Sequence, residues 1–226
     1  SMAAPSTAVM RAMIVPLVVV LVTSITLVGA VRGEMPTLQP RFVPFAVRPR
    51  TSAIPDHVFD VINSAKRLHA NWRGVPMWKS PFDTCILLEM LNEVRPKTII
   101  ELGALSGGSA LFLADQARTL GIEDCHVYSL DIRLDFLDAT ALEAQDEGRG
   151  LTFMQADANV LGEALSADFL ASLPRPLVVL EDAHVNVEGV LHFFDPFLRA
   201  GDYICIEDTI DPDKMKAVSA FMSSQP

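Results

Sequence analysis

Cysteine is scarce in this chain of 226 residues, which has only Cys85, Cys125 and Cys205. Their number is odd and their spacing is not of a metal-binding type, which argues against a disulfide framework and against a cysteine metal site. Cys205 also falls within an apolar, strand-like run. The sequence therefore predicts free thiols in a reducing compartment.

Basic residues are also few, with 18 Lys and Arg against 28 Asp and Glu, and the net charge is −10. Affinity for nucleic acid comes mainly from basic side chains that neutralise phosphates. The composition therefore argues against broad nucleic-acid binding and suits an enzyme that acts on a small molecule or holds a cation.

A single long apolar run, Ile14–Val31, lies near the start of the chain. Its length is at the lower limit for a membrane-spanning helix, about 18 residues. Three interpretations stay open: a signal-anchor helix, a cleavable signal, or the leader of a soluble cytoplasmic protein. More arginines follow the run than precede it, which predicts that the domain beyond it faces the cytoplasm.

The next residues, 32–54, are rich in proline and are typical of a linker, and 55–226 are predicted to form one domain. A helix is predicted over Asp56–Trp72. A second helix is predicted to start at 80–83, where Ser, Pro and Asp form an N-terminal capping pattern.

Five short apolar segments then alternate with helical ones, which predicts an α/β, Rossmann-like, doubly wound and mainly parallel sheet. The predicted strands are Thr98–Gly103, His126–Ile132, Leu151–Asp157, Leu177–Glu181 and Tyr203–Glu207. All five end in acids or glycines. Ligands of such sheets bind at the carboxyl ends of the strands, where converging acids repel unless cations or hydroxyls compensate.

The turn after the first strand is rich in glycine, which permits a tight turn and close approach of a ligand. It lacks the Gly-x-Gly-x-x-Gly spacing of dinucleotide sites. Asp131 is placed to bind a ribose diol and Asp157 an adenine amino group, although each could instead cap a helix. The predicted cofactor-binding residues are Glu101, Gly103, Ser106, Gly107, Ser109, Asp131 and Asp157.

This loop with its two aspartates resembles that of class I methyltransferases, which implies S-adenosylmethionine as the cofactor. Longer motifs at 72–83, 180–184 and 206–209 are similar to those of the cephalosporin hydroxylase-like family. That family resembles metal-dependent O-methyltransferases, including rhamnosyl O-methyltransferases. The resemblance covers about 58–226 and implies methyl transfer to a hydroxyl of a small molecule or sugar.

The resemblance also implies a divalent cation, Mg²⁺ or a similar ion, held by Glu181, Glu207 and Asp208. The first ligand is usually Asp, so Asp182 is an alternative to Glu181. Carboxylate oxygens suit Mg²⁺, and a bound cation would lower the pKa of an acceptor hydroxyl. Helix capping and loop solvation are the alternative roles of the pair at 207–208.

Two residues are candidates for catalysis. His184 follows the fourth strand, and its ordinary pKa of about 6.5 suits a general base. A supporting hydrogen bond is the alternative role for His184. Lys79 is predicted to reach the site from the N-terminal side, unless it is simply exposed.

Two other functions stay open: a nicotinamide-dependent oxidoreductase, which the fold alone permits, and a membrane-tethered, non-catalytic protein with a degenerate methyltransferase fold. Assembly into a homo-oligomer is also left open. Since five strands precede the last helix, we expect the C-terminal two strands of a seven-stranded methyltransferase sheet to be missing.

Overall fold

The computed structural model describes residues 70–209 and 211–224, and the separate positions 55, 57, 58, 60, 61 and 64. The apolar run 14–31 and the linker 32–54 lie outside these residues, so their assignments stay predictions. Among the helices that the described residues form, none has both the length and the apolar character needed to cross a membrane.

A small antiparallel hairpin opens the continuous part, with β1 at Asn71–Trp72 and β2 at Val75–Pro76. The helix predicted over Asp56–Trp72 is therefore wrong at its end. Arg73 and Gly74 take positive φ angles of 52° and 87°, which turn the chain between the two strands. The hairpin brings the following residues towards the main sheet.

The other helices and strands follow the predicted alternation. The start of the second predicted helix is confirmed, because Ser80 and Asp83 cap it with reciprocal hydrogen bonds. The helical segment between the third and fourth predicted strands is divided in two, since Ser166 starts a new helix by accepting a hydrogen bond from the amide of Phe169. The bounds are α1 Pro81–Val94, β3 Thr98–Leu102, α2 Gly108–Thr119, β4 His126–Asp131, α3 Ala139–Asp146, β5 Leu151–Gln155, α4 Ala167–Ser172, β6 Leu177–Glu181, α5 Val187–Phe194, β7 Tyr203–Ile206 and α6 Pro212–Ser224.

The main sheet has five parallel strands in the order β5-β4-β3-β6-β7. This confirms the predicted Rossmann-like class. The chain runs outwards from β3 to β5 and then returns to β6 on the other side of β3. The strand order therefore reverses between β3 and β6, where open α/β sheets form their ligand crevice.

Neighbouring residues of each strand face opposite sides of the sheet, so both faces carry apolar cores. Ile99 packs with apolar side chains of α1, α2 and α3, and Ile100 with those of α4 and α5. A smaller cluster joins α6 to α5 through Phe221 and Leu191. These layers hold the carboxyl ends of the strands in place.

Candidate active site

A cavity of about 800 Å³ opens at the carboxyl ends of the strands. Several residues predicted for the site line it: Gly103, Ser106, Ser109, Asp131, Asp157, His184 and Asp208. Asp182, the alternative to Glu181, lines it as well. The other predicted residues do not line it; these are Lys79, Glu101, Gly107, Glu181 and Glu207.

The loop after β3 is held by Asp131, which ends β4. One carboxylate oxygen of Asp131 accepts a hydrogen bond from the amide of Leu105 at 2.9 Å, and the other from the amide of Arg133 at 3.1 Å. Gly103 has a φ of +105°, and a Cβ there would lie 2.8 Å from the carbonyl oxygen of Asp182. The missing side chain at Gly103 thus lets the loop pack against the turn after β6, and Asp131 fixes the loop at the edge of the cavity.

Two other predicted cofactor residues have clear structural partners. Asp157 lines the cavity, and its Oδ1 accepts a hydrogen bond from the amide of Asn159 at 2.8 Å. Glu101 is fully buried, accepts a hydrogen bond from Ser129, and has its pKa raised by burial. Of these two predicted cofactor residues, Asp157 therefore lies at the cavity, whereas Glu101 is buried beneath it and bonds to the neighbouring strand.

The hairpin and the residues after it cross the start of α2, which the sequence did not indicate. Ser106 donates a hydrogen bond to the carbonyl oxygen of Pro76 at 2.6 Å. A Cβ on Gly108 would lie only 2.1 Å from that same oxygen. Residues 76–80, here called the strap, therefore pass over the loop at 103–109, here called the cofactor loop after its predicted role, before α1 begins.

The side chain of Lys79 connects the strap to the acidic residues that follow β6 and β7. Its side chain is fully buried, and its ammonium lies 2.6 Å from Asp182 and 2.7 Å from Glu207. Burial alone would lower the pKa of Lys79, but the carboxylates of Glu207 and Asp182 outweigh this and raise that pKa. Lys79 is therefore a buried cation beside the cavity.

The two acids that share Lys79 differ in their own pKa values. Burial raises the pKa of Glu207 to about 7 despite Lys79. Burial acts in the same direction on Asp182, but its hydrogen bond with His184 and the charge of Lys79 lower its pKa to about 2. Burial therefore opposes ionisation of Glu207 more than that of Asp182, which has the additional hydrogen bond with His184.

Asp182, His184 and Asp208 form the group of described residues whose ligand atoms could meet at one ion, with those atoms within 4.8 Å of one another. Nε2 of His184 lies 3.3 Å from Oδ1 of Asp182 and 3.5 Å from Oδ2 of Asp208. The hydrogen bond with Asp182 raises the pKa of His184. This group includes Asp208, one of the three predicted metal ligands, but neither Glu181 nor Glu207.

Glu181 and Glu207 turn towards lysines. Glu181 is fully buried, and its carboxylate lies 2.9 Å from the ammonium of Lys214, which belongs to α6. Glu207 pairs with Lys79 through Oε2, and its buried Oε1 has no hydrogen-bond partner. Lys214 stands in an ordinary helical segment, and no local pattern in the sequence indicated its role.

Left-handed backbone conformations are concentrated around the cavity. The described residues include seven non-glycine positions with positive φ, and four of them line the cavity: Trp78, Leu105, His184 and Asp208. Such conformations are costly and persist where the surrounding contacts enforce them, often at functional sites. Their location supports the cavity as the active site.

Comparison with known proteins agrees with the sequence resemblance. A family model described as rhamnosyl O-methyltransferase/CmcI matches residues 65–223. Rhamnosyl O-methyltransferases of Mycobacterium leprae and Mycobacterium bovis are 30% and 28% identical over 142 residues, which is 61% of this chain. The match spans 59% and 56% of those relatives, which is less than two thirds of their length.

A solved structure of CmcI with Mg and SAM has a TM-score of 0.58 and 30% identity to this chain. The similarity covers 83% of this chain and 75% of that one. The matched family region contains the cofactor loop, the strap and the acidic strand ends, so the resemblance inferred from the motifs is confirmed. The chain belongs to the rhamnosyl O-methyltransferase/CmcI family.

Proposed function

We propose that the protein is an S-adenosylmethionine-dependent, divalent-metal-assisted O-methyltransferase that acts on a hydroxyl of a small molecule or sugar. The observation that carries this proposal is the shared cavity. It joins the loop at 103–109 and Asp131 to the group of Asp182, His184 and Asp208. A cofactor and an acceptor bound in one cavity can be aligned for direct transfer.

The cofactor side comprises the loop after β3 together with Asp131 and Asp157. Gly103 lets the loop pack against the backbone of Asp182, and Asp131 holds the loop through the amide of Leu105. We assign Asp131 to the ribose hydroxyls and Asp157 to the adenine. The relatives support this cofactor, since the solved CmcI structure carries SAM.

The metal side fits a hard cation. Asp182 and Asp208 offer carboxylate oxygens, which Mg²⁺ prefers as ligands. When bound there, a divalent cation would lower the pKa of an acceptor hydroxyl. We therefore assign cation binding to Asp182 and Asp208, whereas Glu181 is held away by Lys214.

His184 is the proposed proton acceptor. During transfer, the acceptor oxygen bonds to the methyl carbon as the carbon–sulfur bond breaks, and the hydroxyl proton must leave. The side chain of His184 is half exposed at the cavity, and its Nε2 faces Asp182 and Asp208. An imidazole in this position can take the proton from the acceptor.

The names of the curated relatives point to a rhamnosyl hydroxyl as the acceptor. Trp78 lines the cavity with a half-exposed indole, which offers a flat face for a sugar or aromatic ring. Family membership favours this activity over the nicotinamide-dependent oxidoreductase. A non-catalytic protein of this fold would bind the cofactor without turnover.

The test has two stages. Calorimetry with S-adenosylmethionine, with and without Mg²⁺, should show cofactor binding, while NAD should not bind. Transfer of a labelled methyl group to methyl rhamnoside should then require a divalent cation and stop in excess chelator. Full activity in chelator would refute the metal role, and tight NAD binding without a response to S-adenosylmethionine would refute the whole proposal.

The role of His184 can be separated from cation binding. A His184→Gln variant should lose most turnover and keep the Mn²⁺ affinity of the wild type, because the carboxylates hold the ion. A large loss of Mn²⁺ affinity would instead make His184 a ligand. Affinity for S-adenosylhomocysteine serves as the control and should not change.

A further inference from the structure

Glu181 forms a buried ion pair with a residue outside the sheet. It is the last residue of β6 and is fully buried, yet it does not line the cavity. Its Oε2 lies 2.9 Å from the ammonium of Lys214, which is itself only 4% exposed. A buried carboxylate needs such a partner, because an isolated charge is costly away from water.

The pair makes two further contacts, and each of them reaches a segment that carries candidate site residues. Oε1 of Glu181 accepts a hydrogen bond from the amide of His184 at 3.0 Å. The ammonium of Lys214 also donates to the carbonyl oxygen of Glu207 at 3.1 Å. One ion pair thus ties together the turn after β6, the segment after β7 and the start of α6.

Both tied segments have strained backbones. His184 has a φ of 60° and Asp208 a φ of 50°, which are unfavourable for residues with a side chain. Such conformations persist only when neighbouring contacts enforce them. The hydrogen bonds from the pair reach the amide of His184 itself and the carbonyl that precedes Asp208.

We propose that Glu181 and Lys214 are positioning residues, which hold His184 and Asp208 in the geometry that the active site needs. Glu181 then acts through its neighbours and is not a ligand of the cation. The part of this inference that assigns the pair a role in catalysis rests on the proposed function. The geometric claim itself concerns the folded chain without ligands.

The same strand offers a matched control at its opposite end. Arg175 and Asp202 also form a largely buried ion pair, with 2.5 Å between Nη1 and Oδ2. Oδ1 of Asp202 accepts a hydrogen bond from the amide of Leu177, the first residue of β6. Loss of this pair should weaken the fold without touching the active site.

Hydrogen exchange of the unliganded protein tests the geometric claim. Lys214→Met should speed exchange in the segments 182–186 and 207–211 by about tenfold or more, through local opening. Arg175→Met should speed exchange around 175–177 and 199–202 and leave the first two segments unchanged. Both variants should lower the urea midpoint. Equal exchange at 182–186 and 207–211 in the two variants would overturn the proposal.

A second variant guards against simple misfolding, because Lys214→Met leaves Glu181 buried and unpaired. The double variant Glu181→Gln/Lys214→Met removes both charges and should recover most of the urea midpoint. Its exchange at 207–211 should stay fast, since the ammonium that binds this segment is gone. Wild-type exchange there would show that the pair serves stability alone.

Calorimetry with Mn²⁺ links the pair to the site. Lys214→Met should weaken Mn²⁺ binding by about 10–100-fold, as expected when the supports of ligands are removed. The Arg175→Met variant should bind like the wild type, and both should keep their affinity for S-adenosylhomocysteine. No Mn²⁺ binding by the wild type would refute the metal part of the proposed function, and the exchange comparison would still decide the positioning role.

Discussion

The two ends of the main sheet use charge differently. At the amino ends of the strands, Lys97 pairs with Asp124 at the surface, and Arg175 pairs with Asp202, each cation with one acid. At the carboxyl ends, the buried lysines Lys79 and Lys214 form ion pairs with three acids, and Lys79 alone pairs with two of them. At the amino ends each charge is neutralised by one partner, whereas at the carboxyl ends the acids outnumber the lysines and negative charge remains beside the cavity.

Backbone strain is also concentrated at the carboxyl ends, although Arg95 at the amino ends has a positive φ as well. The cavity at the carboxyl ends is lined by Trp78, Leu105, His184 and Asp208, all with positive φ. These residues belong to connections and not to strands, so nothing in the sheet requires their conformation. Buried charge and strain therefore occur together where a ligand is expected, and substitutions at the two ends should have different consequences.

The largest difference is expected between Lys79 and Lys97. Lys79→Met leaves Asp182 and Glu207 without their buried partner, which should cost about 3–5 kcal/mol of unfolding free energy. Lys97→Met should change stability little, because its pair with Asp124 is exposed. Urea unfolding of both variants measures the difference. Similar midpoints would show that the carboxyl end is not the more sensitive one.

Gly108 and Gly201 give a second comparison. Gly108→Ala would place a Cβ 2.1 Å from the carbonyl oxygen of Pro76, so the strap must move, at a cost of about 1–3 kcal/mol or more. This shift should also weaken binding of S-adenosylhomocysteine. Gly201→Ala, just before β7, has open space around it and should cost only roughly 1–2 kcal/mol for its positive φ.

The readout that separates these two glycine variants is cofactor affinity. Calorimetry should show weaker binding of S-adenosylhomocysteine for Gly108→Ala and wild-type binding for Gly201→Ala. If both variants bind like the wild type, the strap does not shape the cofactor loop.

Asp131 and Asp124 give a third comparison, because Asp131 is the last residue of β4 and Asp124 lies just before its first residue. Asp131→Ala removes the acceptor that holds the amide of Leu105 and the proposed partner of the ribose. We expect cofactor binding to weaken by about 1–3 kcal/mol, measured by calorimetry. Asp124→Ala is the control and should leave that affinity unchanged. Unchanged binding in both would remove Asp131 from the cofactor site.

Local patterns were sufficient for most of the fold and for part of the site. The capping residues Ser80 and Asp83 indicated the start of α1, and the alternation of segments indicated the parallel sheet. Parallel strands bring their carboxyl ends to one edge, so Asp131 and Asp208 were expected near one cavity, where the structure places them. The assigned roles of these residues are still predictions.

The pairing of the lysines could not be predicted in the same way. Lys79 lies more than a hundred residues from both of its partners, and Lys214 reaches Glu181 from a helix with no distinctive pattern. The sequence suggested that cations or hydroxyls compensate the converging acids. In the structure these buried lysines neutralise part of the acidic charge, and only tertiary packing decides which acids they contact.

The smallest expected effect concerns two histidines at opposite ends of the sheet. Burial lowers the pKa of His126, the first residue of β4, below its ordinary value of 6.5. The hydrogen bond with Asp182 raises the pKa of His184 above that value. Imidazole titration by NMR, in the presence of chelator, should therefore place the two pKa values on opposite sides of 6.5.

These shifts predict opposite contributions to the pH dependence of stability. Protonation of His126 favours the unfolded chain, so its contribution falls as the pH drops below 6.5. The contribution of His184 is present below 6.5 and is lost as the pH rises through its raised pKa. His126→Gln should therefore flatten the acid side of a plot of urea midpoint against pH, and leave the neutral side unchanged. A steeper acid side would mean that the hydrogen bond of His126 with Thr152 favours the charged ring, and that burial at the amino end is not the dominant effect.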